Sequence, residues 1–204
     1  MGEIKNIIFD LGGVILHIDY LLTEKAFKAL GCVYFEEKYS QAKQLPLFDD
    51  LEKGKISEKY FIDELKKMLA VDAADTDIIN AWNAMLIDLP ASRLELLMEL
   101  KKKYRTFLLS NTNEIHIKGF EKIIYEQHGI HGLEDYFDKV YYSCRVNMRK
   151  PDAEIFELVL NENGLKAEET LFIDDSIQHV EGALRVGMQA KLLPKGVDVG
   201  VIFD

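Results

Sequence analysis

Apolar residues along this chain follow two periods, and the switch between them predicts the architecture. Ile7-Ile8-Phe9 is a short continuous apolar run closed by Asp10 and Gly12-Gly13. That is the pattern of a strand buried on both faces of a parallel sheet. From Tyr20 to about Pro90 the spacing becomes helical. Leu22, Ala26, Phe27 and Leu30 share one face before Gly31. Tyr60, Phe61, Leu65, Met68 and Leu69 form another, after Ser57, a good N-cap. Ile78, Ile79 and Trp82 mark a third helix over 75–85. No strand is expected between Tyr20 and Pro90. The stretch reads as a helical insert of roughly 70 residues, large enough for a small subdomain.

After Pro90 the strand–helix alternation resumes. Helices are expected over 91–103, 112–127, 151–162 and 176–185, the third with proline in its first turn. Strands are expected over 106–109, 139–143, 170–173 and 190–193. This order predicts an α/β fold: a doubly wound parallel-sheet, Rossmann-like core from residues 1–16 and 91–204, with residues 17–90 inserted as a small α-helical domain.

Composition narrows the function. A chain of 204 residues can bury one core plus a small accessory one. No apolar stretch approaches the roughly 20 residues of a membrane span. The first residues lead straight into a strand, so a cytoplasmic protein is expected. Cys32 and Cys144 form no CxxC pair and no zinc spacing, and read as reduced thiols. The formal charge is −10, with no basic face for nucleic acid. The run Lys101-Lys102-Lys103 is expected to favour the negative end of a helix. Monomer and homodimer both remain open.

The candidate chemistry lies at strand ends. Asp10, Asp174 and Asp175 each follow an apolar run, at the carboxyl edge where open α/β sheets bind ligands. Three carboxylates brought together raise one another's pKa unless a cation joins them. An oxygen-only cluster suits Mg²⁺ better than zinc. Ser110-Asn111 ends another strand before a helix, either as an anion site or as a plain N-cap. Lys150 precedes Pro151 in a loop, where it is either solvated or set against the carboxylates. The five histidines lack metal spacing and read as structural or exposed, with His179 closest in sequence to the Asp pair. No serine sits in a G-x-S-x-G elbow.

Asp10-x-Gly12-Gly13-Val14, Ser110-Asn111, Lys150-Pro151 and Asp174-Asp175, in this order and spacing, resemble the four motifs of the haloacid dehalogenase-like (HAD) hydrolases. The resemblance spans essentially the whole chain, with residues 17–90 similar to the C1-type cap. Glu52-Lys53-Gly54-Lys55-Ile56-Ser57 and Met148-Arg149-Lys150-Pro151 are most similar to the bacterial α-D-glucose-1-phosphate phosphatase-like branch. The resemblance implies a Mg²⁺-dependent phosphoric monoester hydrolase acting on a small phosphorylated metabolite, foremost a sugar phosphate such as a hexose 1-phosphate. Asp10 would be the nucleophile that forms an aspartyl-phosphate. The Asp10 carboxylate, the Gly12 carbonyl, Asp175 and, directly or through water, Asp174 would hold Mg²⁺. Ser110, Asn111, Gly12, Gly13 and Lys150 would bind the phosphoryl group, and Ser110 and Lys150 would assist catalysis.

One position departs from the family's phosphatase pattern. The acid/base Asp two residues after the nucleophile is Gly12 here, and glycine cannot shuttle a proton. His17, Asp19 or a residue of the insert are candidate substitutes. Two alternatives follow from the departure: a metal-independent 2-haloacid dehalogenase, and a non-catalytic module that binds a phosphometabolite. Dehalogenases replace the motif-four Asp pair, which is intact here. A pure binder has little use for Asp10 and Lys150.

Overall fold

The computed structural model describes residues 2–37 and 46–203; residues 1, 38–45 and 204, assigned above to core and insert, lie outside them. In chain order the strands are β1 (Asn6–Phe9), β2 (His17–Ile18), β3 (Leu86–Asp88), β4 (Arg105–Ser110), β5 (Lys139–Tyr142), β6 (Thr170–Asp174) and β7 (Gln189–Leu192). Five of them form one sheet in the order β5-β4-β1-β6-β7, every neighbouring pair parallel. This is the doubly wound α/β core that the alternation predicts.

β1 is central, and all of its residues are buried. Its faces explain the unbroken apolar run. Ile7 and Phe9 pack with Leu94 and Leu97 of the helix Ala91–Lys101 and with Ile117 and Phe120 of Glu114–His128. Ile8 packs with Ile155, Phe156 and Val159 of Ala153–Asn163 and with Ala183 of Ile177–Arg185. Successive residues of a strand point to opposite faces, so a strand between two helical layers needs apolar residues throughout. Register then sets the site. Phe9 stands opposite Leu108 and opposite Ile173, so Asp10 leaves the sheet level with Asp174 and beside the end of β4.

The insert carries the helices Tyr20–Ala29, Leu47–Glu52, Glu58–Leu69 and Asp75–Asn83. The Ser57 side chain caps the third, accepting from Tyr60 N–H. Phe27, Phe61, Leu65, Leu69, Ile78 and Trp82 form a separate apolar cluster, joined by Ile115 from the core.

Several expectations are corrected. A strand does occur between Tyr20 and Pro90: β3 pairs antiparallel with β2, and this ribbon carries the chain out to the insert and back. Its three residues are too few to establish an alternation. The helix Leu47–Glu52 was not anticipated, for the same reason. The helix expected from Pro151 starts at Ala153, because residues 149–152 first form a turn closed by Asp152 N–H on the Arg149 carbonyl. The helix expected from Thr112 starts at Glu114, capped by the Asn113 side chain, which accepts from His116 N–H. Ser110 is therefore not the N-cap. Lys101 donates to the carbonyls of Asp135 and Phe137, beyond its own helix.

Candidate active site

Asp10 follows β1 and is anchored by its N–H on the Ile173 carbonyl at 2.9 Å. It is buried. Lys150, fully buried, donates from Nζ to Asp10 Oδ1 at 2.6 Å and to Asp174 Oδ2 at 2.7 Å. A loop lysine is usually solvated; this one lies between two buried carboxylates, which is the only arrangement that makes its burial tolerable. Burial pulls the ammonium down, but Asp10 and Asp174 outweigh it and hold the pKa above the ordinary lysine value. Burial also pushes the Asp10 carboxyl up to about 7, against the pull of Lys150 and helped by Asp174 and Asp175. Asp174 is fully buried and responds oppositely. Burial opposes its charge, yet Lys150 and His179 bring it down to about 2.

Asp174 has little coordination capacity left. Its Oδ1 accepts from Ser176 N–H at 2.8 Å, and His179 Nδ1 lies 3.0 Å from both oxygens. His179 is thus drawn to the Asp pair, as its position in sequence suggested. Asp175 stands at the exposed mouth, its carboxyl raised by burial and by Asp174. Gly13 lies against it at φ +78°, where any Cβ would collide with the Asp175 carboxylate. This is why that turn position must be glycine. One oxygen each from Asp10, Asp174 and Asp175 lies within 4.8 Å of the others. The three carboxylates outnumber the one lysine, and all the donors are oxygens. That set fits a hard divalent cation such as Mg²⁺.

Ser110 is buried at the end of β4 and lines the cavity beside Asp10. Asn111 also lines it, but its amide is committed. Oδ1 accepts from Lys150 N–H and Nδ2 donates to the Lys150 carbonyl, both at 2.9 Å. Asn111 thereby fixes the backbone from which the lysine reaches inward. Thr112 N–H bonds Ser143 Oγ at 2.9 Å, tying this loop to the end of β5.

The cavity of about 300 Å³ is roofed by Ile18, Tyr20, Glu52, Met85 and Leu86. His17 and Asp19, proposed above as proton carriers, do not line it. His17 Nδ1 pairs with Asp88 at 2.7 Å, and Asp19 caps the helix Tyr20–Ala29. The residues missed from sequence are Glu52, Arg149 and His116. Arg149 pairs with Asp49 and, at 3.0 Å, with Glu52. Lys53 pairs with Asp152, and Asn147 Nδ2 donates to the Lys53 carbonyl at 2.8 Å. These contacts seat the helix Leu47–Glu52 on the loop that carries Lys150. Burial pushes the Glu52 carboxyl up despite Arg149. His116 carried one signal, its place in the first turn after Ser110-Asn111-Thr112-Asn113.

A central-strand carboxylate, a buried lysine and a carboxylate pair at the carboxyl edge of this sheet, under a helical insert, define the class. The chain belongs to the haloacid dehalogenase-like hydrolases, whose family model matches residues 4–187. It is 30% identical to a D-ribitol-5-phosphate phosphatase of Bacteroides thetaiotaomicron, across 96% of this chain and 94% of that protein. It is 27% identical to a sesquiterpene phosphatase of Aspergillus oryzae, across 90% and 87% of the two. A HAD family enzyme of Bacteroides thetaiotaomicron, solved with magnesium and inorganic phosphate, superposes with a TM-score of 0.86 at 35% identity, covering 98% of this chain and all of that one.

Proposed function

We propose that this chain is a Mg²⁺-dependent phosphatase that hydrolyses a small sugar or polyol phosphate through an aspartyl-phosphate on Asp10. The observation that carries the reading is the fully buried Lys150 ammonium shared by Asp10 and Asp174. It leaves one Asp10 oxygen free of the lysine and puts positive charge directly beside the nucleophile. In the first step that oxygen attacks phosphorus, the ester P–O bond breaks, and the leaving oxygen takes a proton from water to depart as the alcohol. In the second, water attacks phosphorus and gives up a proton to solvent, the P–O bond to Asp10 breaks, and phosphate leaves. Asp10, Asp175 and the Gly12 carbonyl would hold the ion, with Asp174 reached through water because its oxygens are already engaged. Mg²⁺ there supplies neutralisation of the phosphoryl charge. Ser110 hydroxyl and Lys150 bind phosphoryl oxygens, and Gly13 lets the backbone approach them. Catalysis of this kind is positioning plus electrostatics.

Residues 17–90 act as the cap domain that closes over the substrate. Among the described residues, the insert residues Glu52 and Tyr20 line the cavity, whereas His17 and Asp19 do not. The cavity is at the small end of ligand pockets, typically ~300–1,000 Å³, which favours a small metabolite over a sesquiterpene. The likeness to a D-ribitol-5-phosphate phosphatase supports the same class. The test is phosphate release from a panel of small esters, with Mg²⁺ or EDTA, against an Asp10→Asn control. Release that needs both the metal and Asp10 is the expected result. No release above the control with any ester would overturn the reading.

A further inference from the structure

His116 sits in the wall of the cavity, away from the carboxylates, and its protonation state can be read from its neighbours. The Asn83 amide donates from Nδ2 to the Ile115 carbonyl at 3.3 Å. A carbonyl can only accept, so Asn83 Oδ1 is the atom turned toward His116, 2.8 Å from Nδ1. Nδ1 must therefore carry a proton, and in the neutral ring Nε2 presents the lone pair. The ring is clamped face to face on Trp82, centroids 5.1 Å apart and planes 12° apart. Burial keeps the imidazole neutral, its pKa brought down to about 4. Among the described residues the ring's one hydrogen bond through a nitrogen is that of Nδ1 to Asn83, and the ring lines the cavity with Asp10 and Ser110.

Glu52 also lines the cavity, at the end near Arg149, Lys150 and His179. Arg149 is held by Asp49 and Glu52 through its terminal nitrogens, and its Nε has no partner among the described residues. At His116 the cavity thus asks for a donor, and a carboxylate would find none on the bare Nε2. We infer that His116 Nε2 accepts a hydrogen bond from a hydroxyl of the leaving group, and so selects hydroxylated phosphate esters over alkyl and carboxylate-bearing ones. The inference rests on the phosphatase reading and deepens it. A site built to bond a hydroxyl discriminates strongly against the analogue lacking it, because its polar group is then left unpaired.

The test compares kcat/KM for D-ribitol 5-phosphate, n-pentyl phosphate and 3-phosphoglycerate in the wild type and in His116→Phe, which keeps an aromatic ring on Trp82. The wild type should prefer the polyol ester to both others. The ratio of polyol to pentyl ester should fall in the variant on the order of 10- to 100-fold, the worth of one unpaired buried polar group. An unchanged ratio, or a wild-type preference for the pentyl or carboxylate ester, overturns the inference. A second measurement needs no variant: long-range ¹H–¹⁵N spectra of the ¹⁵N-histidine-labelled protein at pH 7. Protonated Nδ1 with bare Nε2 supports the inference, and an imidazolium or an Nε2–H tautomer overturns it. If no ester turns over at all, the phosphatase reading falls. Titration of the labelled protein with D-ribitol 5-phosphate then decides for His116: a shift at Nε2 upholds the contact and no shift overturns it.

Discussion

A neutral, half-buried His116 makes a thermodynamic prediction that can be tested without any substrate. In the unfolded chain a histidine titrates near 6.5, and in the folded protein this one titrates at about 4. The folded pKa is depressed, so the unfolded chain binds the extra proton between these values. His116 therefore contributes stability that is present above pH 6.5 and is lost as pH falls toward 4. One proton corresponds to about 1.4 kcal/mol per pH unit, and the slope is only partly developed above 6.5. From pH 7 to pH 5 the loss is roughly 2 kcal/mol. Other groups also titrate in this window. Asp10, raised to about 7, gains a proton in the folded state and acts in the opposite direction. Those terms are common to the wild type and to His116→Phe and cancel in their difference. Urea unfolding of both proteins in EDTA, followed by circular dichroism at pH 7 and pH 5, isolates the histidine. The stability advantage of the wild type should shrink by roughly 2 kcal/mol at pH 5. An advantage that is constant, or that grows on acidification, would refute the half-buried neutral imidazole and the tautomer drawn from it.

Lys150→Met should abolish phosphate release and, measured by urea unfolding in EDTA, cost roughly 3–5 kcal/mol, because two buried carboxylates lose their shared partner; a loss below 1 kcal/mol would mean the ammonium is not buried between them. Gly13→Ala should weaken Mg²⁺ binding by on the order of 10- to 100-fold, as for other changes to the groups supporting a metal ligand. The φ of +78° and the Asp175 carboxylate both exclude a methyl group there; calorimetric titration with Mg²⁺ checks it, and wild-type affinity would refute the packing argument. Gly12→Asp tests the missing proton carrier. A Cβ at Gly12 would stand 3.1 Å from Ile18 Cδ1, the free end of a flexible side chain, so pairing the change with Ile18→Val makes room. Turnover of alkyl phosphates, whose leaving group needs a proton, should rise toward the ~10²–10⁴-fold that acid–base help supplies. p-Nitrophenyl phosphate should gain far less, and equal gains for both esters would show that protonation of the leaving group is not what Gly12 limits.

The parts of this site that could be read from sequence share one physical cause. Each terminates an apolar run, and in a doubly wound sheet every such run ends at the same edge. Asp10, Ser110 and Asp174 were legible because burial on both faces writes β1, β4 and β6 as continuous apolar segments. Their convergence needed only the strand order. What escaped was set by contacts between segments far apart in the chain. Lys150 reads from sequence as either solvated or set against the carboxylates, and Asp10 and Asp174 closing on it decide for the second. Asn111 shows in sequence only its place beside Ser110, not the pair of hydrogen bonds its amide makes to the Lys150 backbone. Glu52 reaches the cavity because Arg149 and Lys53 seat a six-residue helix that has no periodicity to detect. The state of His116 depends on an amide in the insert, Asn83, which is oriented by a carbonyl in the core, Ile115. The core thus supplies the charges that recur wherever a phosphoryl group is handled. The group that tells one ester from another is set where the insert meets the core, and the strand pattern carries no record of it. Exchanging core residues should therefore change rates for all esters together, whereas changes at Asn83 or His116 should reorder them.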